Sequence, residues 1–227
     1  IHTASLIVDD LPCMDDADMR RGQPACHRRF GEAVTILAAL ELVTLGYRTM
    51  SRAPGVNDST RVRLVQLLAR AVGVNGLIGG QERDLTAEQR ASLDVDDRSR
   101  VTRIHELKTG ALFIAAAESG AAVAGLEGEQ LLPIRDFAGK LGLAYQTLDD
   151  LLDAQGTVSG IGKDVGKDVD KPTLVGVLGP DAASEYASKM ISSATAALQP
   201  MGPSMRPLEN FVQSAFGKAV SDRSQLN

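Results

Sequence analysis

Two acidic clusters carry the chemistry legible in this chain: Asp9-Asp10-Leu-Pro-Cys-Met-Asp15-Asp16-Ala-Asp18 near the start, and Asp149-Asp150-Leu-Leu-Asp153 far downstream. Each crowds carboxylates beside apolar, helix-forming sequence, where like charges repel and burial is costly unless cations lie between them. Hard divalent cations, which prefer oxygen ligands, are the natural partners. On a helix Asp149 and Asp153 are one turn apart and share a face, with Asp150 about 100° round from Asp149, so two carboxylates can grip one cation. Asp9 and Asp15 would be about 240° apart on an ideal helix, and Pro12 lacks a helical amide. The backbone must therefore leave α-geometry near Leu11 if both acids are to face one site. Arg20-Arg21-Gly22 follows at once, and guanidinium forks match phosphate oxygens. The pattern points to a site that holds metal first and anionic oxygens second. A solvated acidic surface is the competing reading; Leu6-Ile7-Val8, which would bury the approach to the first cluster, argues against it.

The elements that must position these residues are helices. Residues 32–50 are apolar on most faces, as expected of a helix at the centre of a bundle, and stop near Pro54-Gly55. Asp58-Ser-Thr60 offers caps for an amphipathic helix running to about 79, with Val62, Val65, Leu68, Ala69 and Val72 on one stripe. The polar stretch 86–100 reads as a short helix and loop. Further helices are predicted over 101–123, 127–154, 180–198 and 207–220. Phe137, Leu141, Ala144, Tyr145 and Leu148 keep helical spacing, so the helix bearing the second cluster should be packed when it reaches the acids. No convincing strand and no internal repeat emerge, and the Gly/Lys/Asp-rich residues 155–171 form a long loop. The expectation is one all-α domain over 1–227.

Composition narrows the rest. A chain of 227 residues with net charge −5 and 44% hydrophobic residues is ordinary globular chemistry. Its cations are scattered, and three Tyr, five Phe and no Trp leave little to stack on bases, which argues against nucleic acid as the main ligand. Cys13 and Cys26 are too few for a disulfide framework or thiolate metal site; two free, partly buried thiols suit a reducing cytosol. No uninterrupted apolar run reaches the ~18 residues of a membrane span and no leader is evident, so a soluble, cytoplasmic protein is expected. Ile1 opens inside an apolar run without a capping residue, so a preceding segment is expected. Gly160-Ile-Gly162-Lys163 fails as a nucleotide loop because Asp164 follows the Lys and no strand precedes it. His27 and His105 read as structural, since neither sits in a metal-ligand spacing, and Met14 and Met19 as packing residues.

Residues 2–27, from His2 through the first cluster to Arg20-Arg21-Gly22 and His27, closely resemble the first aspartate-rich motif of trans-isoprenyl diphosphate synthases. Tyr145-Gln146-Thr-Leu-Asp149-Asp150-Leu-Leu-Asp153 resembles their second. Gly80-Gln81 with Asp84, Lys108-Thr109, and Gly162-Lys163-Asp164 through Lys171-Pro-Thr173 fall in the family's order, and the similarity covers nearly the whole chain. Within the family it looks most like bacterial geranylgeranyl diphosphate synthases.

That resemblance implies a helical bundle of the isoprenoid synthase type with a central apolar cavity, working as a homodimer. It implies Mg²⁺, three ions per active site with Mn²⁺ as a substitute, held by Asp9, Asp10 and Asp15 on one side and Asp149, Asp150 and Asp153 on the other. Lys108, Lys163 and Arg20 would bind the allylic diphosphate, and Arg21 and His2 the isopentenyl diphosphate. Thr109 and Gln146 would border the allylic cation, Lys171 would close the mouth, and Gln81 and Asp84 would support the site from behind. The family's Gly-Gly-Lys-x-x-Arg segment should precede residue 1, and Ala17 stands where many relatives have another Asp. Ala4 and Ser5 lie about one turn before Asp9, where shorter-product relatives place a ring as a tunnel floor. Their small size predicts growth past farnesyl to geranylgeranyl diphosphate; a farnesyl or longer-chain synthase is the alternative. A terpene cyclase would pair one acidic motif with an Asn/Ser/Glu-type one, and a non-catalytic partner subunit would have an eroded motif; both motifs are intact here. The very apolar segment 33–47 independently suggests a covered surface between two copies.

Overall fold

Apolar residues at helical spacing dominate the sequence, and every long element among the described residues, 1–86, 97–155 and 173–221 of this computed structural model, is a helix. In chain order these are α1 (His2–Asp9), a ribbon of β1 (Met19–Arg20) and β2 (Gln23–Pro24), α2 (Cys26–Phe30), α3 (Glu32–Ser51), α4 (Asp58–Val72) and α5 (Leu77–Leu85). Then come α6 (Asp97–His105), a π-helical turn (Glu106–Gly110), α7 (Ala111–Val123), α8 (Leu131–Gln155), α9 (Leu174–Leu178), α10 (Pro180–Ala197) and α11 (Arg206–Ser221). The chain divides into two compact units, one of Ile1–Val65 with the described residues from Leu152 to 155, the other of Gln66–Leu151 with those from Thr173 onward.

In the first unit α1 and α2 pack on α3. The expectation that α3 is a central helix is corrected, because only Thr35 and Ala39 are buried along its length while Val34, Ile36, Leu37 and Leu40 are exposed. Two small residues four apart allow close helix contact on one face, and the large apolar residues turn outward. By mean hydropathy and length, α3 and the stretch Asp58–Leu85 could each cross a membrane, although neither is an uninterrupted apolar run. Glu41 and Arg48, 3.8 Å apart in α3, would be costly in hydrocarbon. The second stretch is broken at 73–76 and partly buried within the protein.

The cap of α4 is Asn57, whose Oδ1 accepts from the Thr60 N–H at 2.8 Å, while Asp58 pairs with Arg61 at 2.6 Å. Its buried stripe is Leu64, Leu67, Leu68 and Ala71; of the expected stripe Leu68 is buried and Val65 and Val72 are half-buried, whereas Val62 and Ala69 are exposed. The unexpected ribbon pairs Met19 with Pro24 and Arg20 with Gln23 through Arg21 (φ 53°) and Gly22 (φ 73°). Two consecutive left-handed residues match the primed turn of a two-residue hairpin. Cys13 is exposed rather than partly buried, and both cysteines are free.

The core of the second unit is built where Ile134, Phe137, Ala138, Leu141, Ala144, Leu148 and Leu151 of α8 meet Ala183, Ala187, Ile191 and Ala194 of α10 and Val212 and Phe216 of α11. Each fully buried large aliphatic or aromatic side chain there contributes roughly 1.5–3 kcal/mol. Tyr145 departs from the expected stripe: it is exposed, with its ring 5.5 Å from that of Phe113.

Candidate active site

The first acidic cluster sits where α1 stops. Asp10 is its C-terminal cap, and beyond it the Asp15 N–H donates to the Asp9 carbonyl at 2.9 Å while the Asp16 N–H donates to Leu11. These bonds fold the chain back on itself, so Asp9 and Asp15, both half-buried, become neighbours despite their spacing. The expected departure from α-geometry is present. Asp16 and Asp18 point to Arg28 of α2, at 3.4 and 2.7 Å, and Ala17 between them is buried, which explains a small apolar residue at that position. One turn upstream Ala4 is only 2% exposed, whereas Ser5 is half-buried with its hydroxyl on the His2 carbonyl.

Asp10, expected beside Asp9 as a metal ligand, is 3% exposed and engaged by Arg20, whose Nε and Nη2 donate to its Oδ1 at 3.0 and 2.5 Å. Burial alone would lower the Arg20 pKa, but the hydrogen bond and charge of Asp10, with the charges of Asp9 and Asp15, raise it instead. Arg20 thus stands in the field of the whole first cluster. The hairpin turn leaves Arg21 exposed, near enough to His2 that its charge adds to burial in lowering the His2 pKa, keeping the imidazole neutral.

In the second unit the site residues are held by the π-helical turn, which has no sequence signature and was read as continuous α-helix. A Cβ on Gly80 would strike the backbone nitrogen of Lys108, and one on Gly142 would lie 2.8 Å from the Cα of Gly110, so the absence of side chains lets α5 and α8 close on this turn. Asp84, one turn beyond Gly80, accepts from Lys108 Nζ at 2.6 Å. Thr109 Oγ1 donates to Gln146 Oε1 at 2.6 Å, and Gln146 Nε2 donates to Asp150 Oδ1 at 2.9 Å. His105, which sequence reasoning treated as merely structural, lies behind this network with Nε2 3.5 Å from Asp150 Oδ2. Burial holds its pKa down to about 4, against the charge of Asp84 that favours the imidazolium. Its signal in the sequence was only its position one turn before Lys108. π-Helical turns concentrate at functional sites.

The donors in both clusters are carboxylates, the set that Mg²⁺ accepts, with no thiolate among them. Among the described residues no three His, Cys, Asp or Glu side chains form a ready metal cage. Mg²⁺ is commonly held by one or two carboxylates and completed by water and phosphate oxygens. A cavity of about 450 Å³ in the second unit, lined by Leu67, Leu107, Ile114, Glu118, Arg135 and Leu143 among others, includes none of the expected site residues. Lys163 and Lys171 lie outside the described residues.

With this geometry in view, the polyprenyl synthetase family model matches residues 1–198. The farnesyl diphosphate synthase of Escherichia coli is 44% identical over 205 residues, covering 88% of this chain and 67% of that protein. The mitochondrial geranylgeranyl pyrophosphate synthase 6 of Arabidopsis thaliana is 41% identical over 204 residues, covering 88% of this chain and 61% of its own length. A geranyltransferase from Helicobacter pylori, solved with magnesium and isoprenyl diphosphate, superposes with a TM-score of 0.79 at 28% identity over 99% of this chain and 71% of its own. The fold is therefore the all-α fold of these prenyltransferases.

Proposed function

The chain belongs to the polyprenyl synthetase family, and from that premise we propose that it is a Mg²⁺-dependent trans-prenyltransferase. It joins isopentenyl diphosphate to dimethylallyl, geranyl or farnesyl diphosphate and releases geranylgeranyl diphosphate. The observation that carries the reading is the bond from the Asp15 amide to the Asp9 carbonyl, which gathers two carboxylates beside the Arg20 guanidinium.

In this reading Asp9 and Asp15 hold metal against the allylic diphosphate, and Asp149, with Asp150 and Asp153, holds it from α8. Bound Mg²⁺ supplies neutralisation of the charge that gathers on the departing diphosphate. Arg20, Lys108 and Lys163 bind the same diphosphate, with Lys108 kept in place by Asp84 until the substrate competes for it. Arg21 and a neutral His2 take the isopentenyl diphosphate. The allylic carbon–oxygen bond breaks, the C=C bond of isopentenyl diphosphate forms the new carbon–carbon bond, and the proton lost passes to the departing diphosphate. Thr109 and Gln146 border the cation with dipoles already fixed by mutual hydrogen bonding, which costs no reorganisation during reaction. Lys171 closes the mouth.

The outward apolar face of α3, with Leu37 65% exposed, is covered in this reading by the same face of a second copy. The enzyme works in the cytoplasm, and its free thiols suit a reducing compartment. Similarity to proteins named for both farnesyl and geranylgeranyl products leaves chain length to be read from the tunnel floor. Because Ala4 is packed and Ser5 is partly open, Ser5→Phe is the informative substitution.

The test is incubation of the protein, with any segment that precedes Ile1, with labelled isopentenyl diphosphate, Mg²⁺ and each allylic starter, followed by product sizing. A twenty-carbon product from wild type, shortened in Ser5→Phe, is expected. No elongation with any starter would overturn the reading, and a stable monomer by sedimentation at micromolar concentration would overturn the dimer.

A further inference from the structure

We propose that Asp10 is not a metal ligand but the positioning residue of Arg20. The carboxylate is 3% exposed, and the guanidinium meets it edge-on: Nε lies 3.0 and 3.2 Å from its two oxygens and Nη2 lies 2.5 Å from Oδ1. Of the five N–H groups on a guanidinium, this edge occupies the one on Nε and one on Nη2. The far end, with both hydrogens of Nη1 and the second of Nη2, is the fork that fits a phosphate bidentately. The backbone fixes both partners. Asp10 is tied at its amide to Leu6 and at its carbonyl to Ala17, and Arg20 is in the strand that pairs with Gln23. A carboxylate so placed holds a cation of the protein itself. Within a row of acids that look equivalent in sequence, position 10 serves the anion site and positions 9 and 15 serve the metal.

This assignment rests on the proposed prenyltransferase reading, and the experiment separates the two. Asp10→Asn keeps the side-chain volume and one acceptor for Arg20, so it preserves the fold while weakening the clamp; a melting curve checks this. Steady-state assays of wild type, Asp10→Asn, Arg20→Gln and the double variant give KM for the allylic diphosphate, kcat and the Mg²⁺ concentration for half-maximal rate. Calorimetric titration with inorganic diphosphate and Mg²⁺ gives binding without turnover. Asp10→Asn should raise KM and the diphosphate Kd about tenfold, leave the Mg²⁺ midpoint within twofold, and add nothing further in the Arg20→Gln background. A tenfold shift of the Mg²⁺ midpoint, or losses that multiply in the double variant, would overturn the assignment while leaving the enzyme reading intact. Wild type that elongates no starter would remove the reading, and this inference with it.

Discussion

Lowering the pH should selectively destabilise the protein through His105. Its side chain is 7% exposed, and burial holds its pKa at about 4, against an ordinary value of 6.5. A histidine whose folded pKa lies below its unfolded one binds fewer protons when folded, so its contribution is fully present above pH 6.5 and is lost as pH falls toward 4. At 1.36 kcal/mol per pH unit the full loss is about 3 kcal/mol, of which about 2 kcal/mol is gone by pH 5. The carboxylates of Asp84 and Asp150 oppose this, but desolvation dominates. The assay is urea unfolding of wild type and His105→Gln at several pH values from 7.5 to 4, in chelator so that no metal competes at Asp150. Other carboxylates titrate in the same range in both proteins, so the informative quantity is the difference between the two curves. The wild type should lose about 2 kcal/mol more than the variant between pH 7.5 and 5. Curves that stay parallel within experimental error would refute the claim that neutral His105 is locked in by burial.

Three other outcomes follow from particular contacts. Gly80→Ala puts a methyl group against the Lys108 backbone, and should cost about 1–3 kcal/mol and displace the Lys108–Asp84 pair, seen as a lowered urea midpoint with reduced turnover; unchanged values would refute the close approach. Arg135→Ala strands the Glu118 carboxylate, which is 2% exposed and bonded at 2.7 Å to Arg135 Nε, at a cost of about 3 kcal/mol that Glu118→Gln in the same chain should partly restore in thermal melts. Chelation with EDTA should abolish elongation, with recovery on adding Mg²⁺; activity that survives chelation would refute a metal-assisted reaction.

The helices were legible because their apolar residues recur at a period of 3.6: α10 falls within a residue of its predicted span, and α8 ends within a residue of its predicted end but starts four residues later, after a 3-10 turn at Gly128–Gln130. The backbone's departure from α-geometry between Asp9 and Asp15 was legible because Pro12 and the six-residue spacing demand it locally. Features that depend on a third dimension were not. The outward turn of α3 depends on which face Thr35 and Ala39 offer to α1 and α2, and composition alone cannot choose between faces. The ribbon at 19–24 is too short for alternation to register, though Arg21-Gly22 does carry the turn. That Asp10 is the acid buried against Arg20 is invisible in a row of identical side chains, because it is set by the fold of the turn and ribbon.

The π-helical turn has a consequence for how this chain can vary over evolutionary time. Its widened loop holds one residue more than an α-turn, and everything after it is rotated by about 100° relative to a continuous helix. Deleting a single residue between Glu106 and Gly110 would make a more regular helix locally. It would also swing Ala115, Glu118, Ala121 and Ala122 of α7 away from the interior they now fill. The length of this stretch matters as much as its side chains: an insertion or deletion that looks harmless in a sequence comparison would put the whole of α7 out of phase with its surroundings.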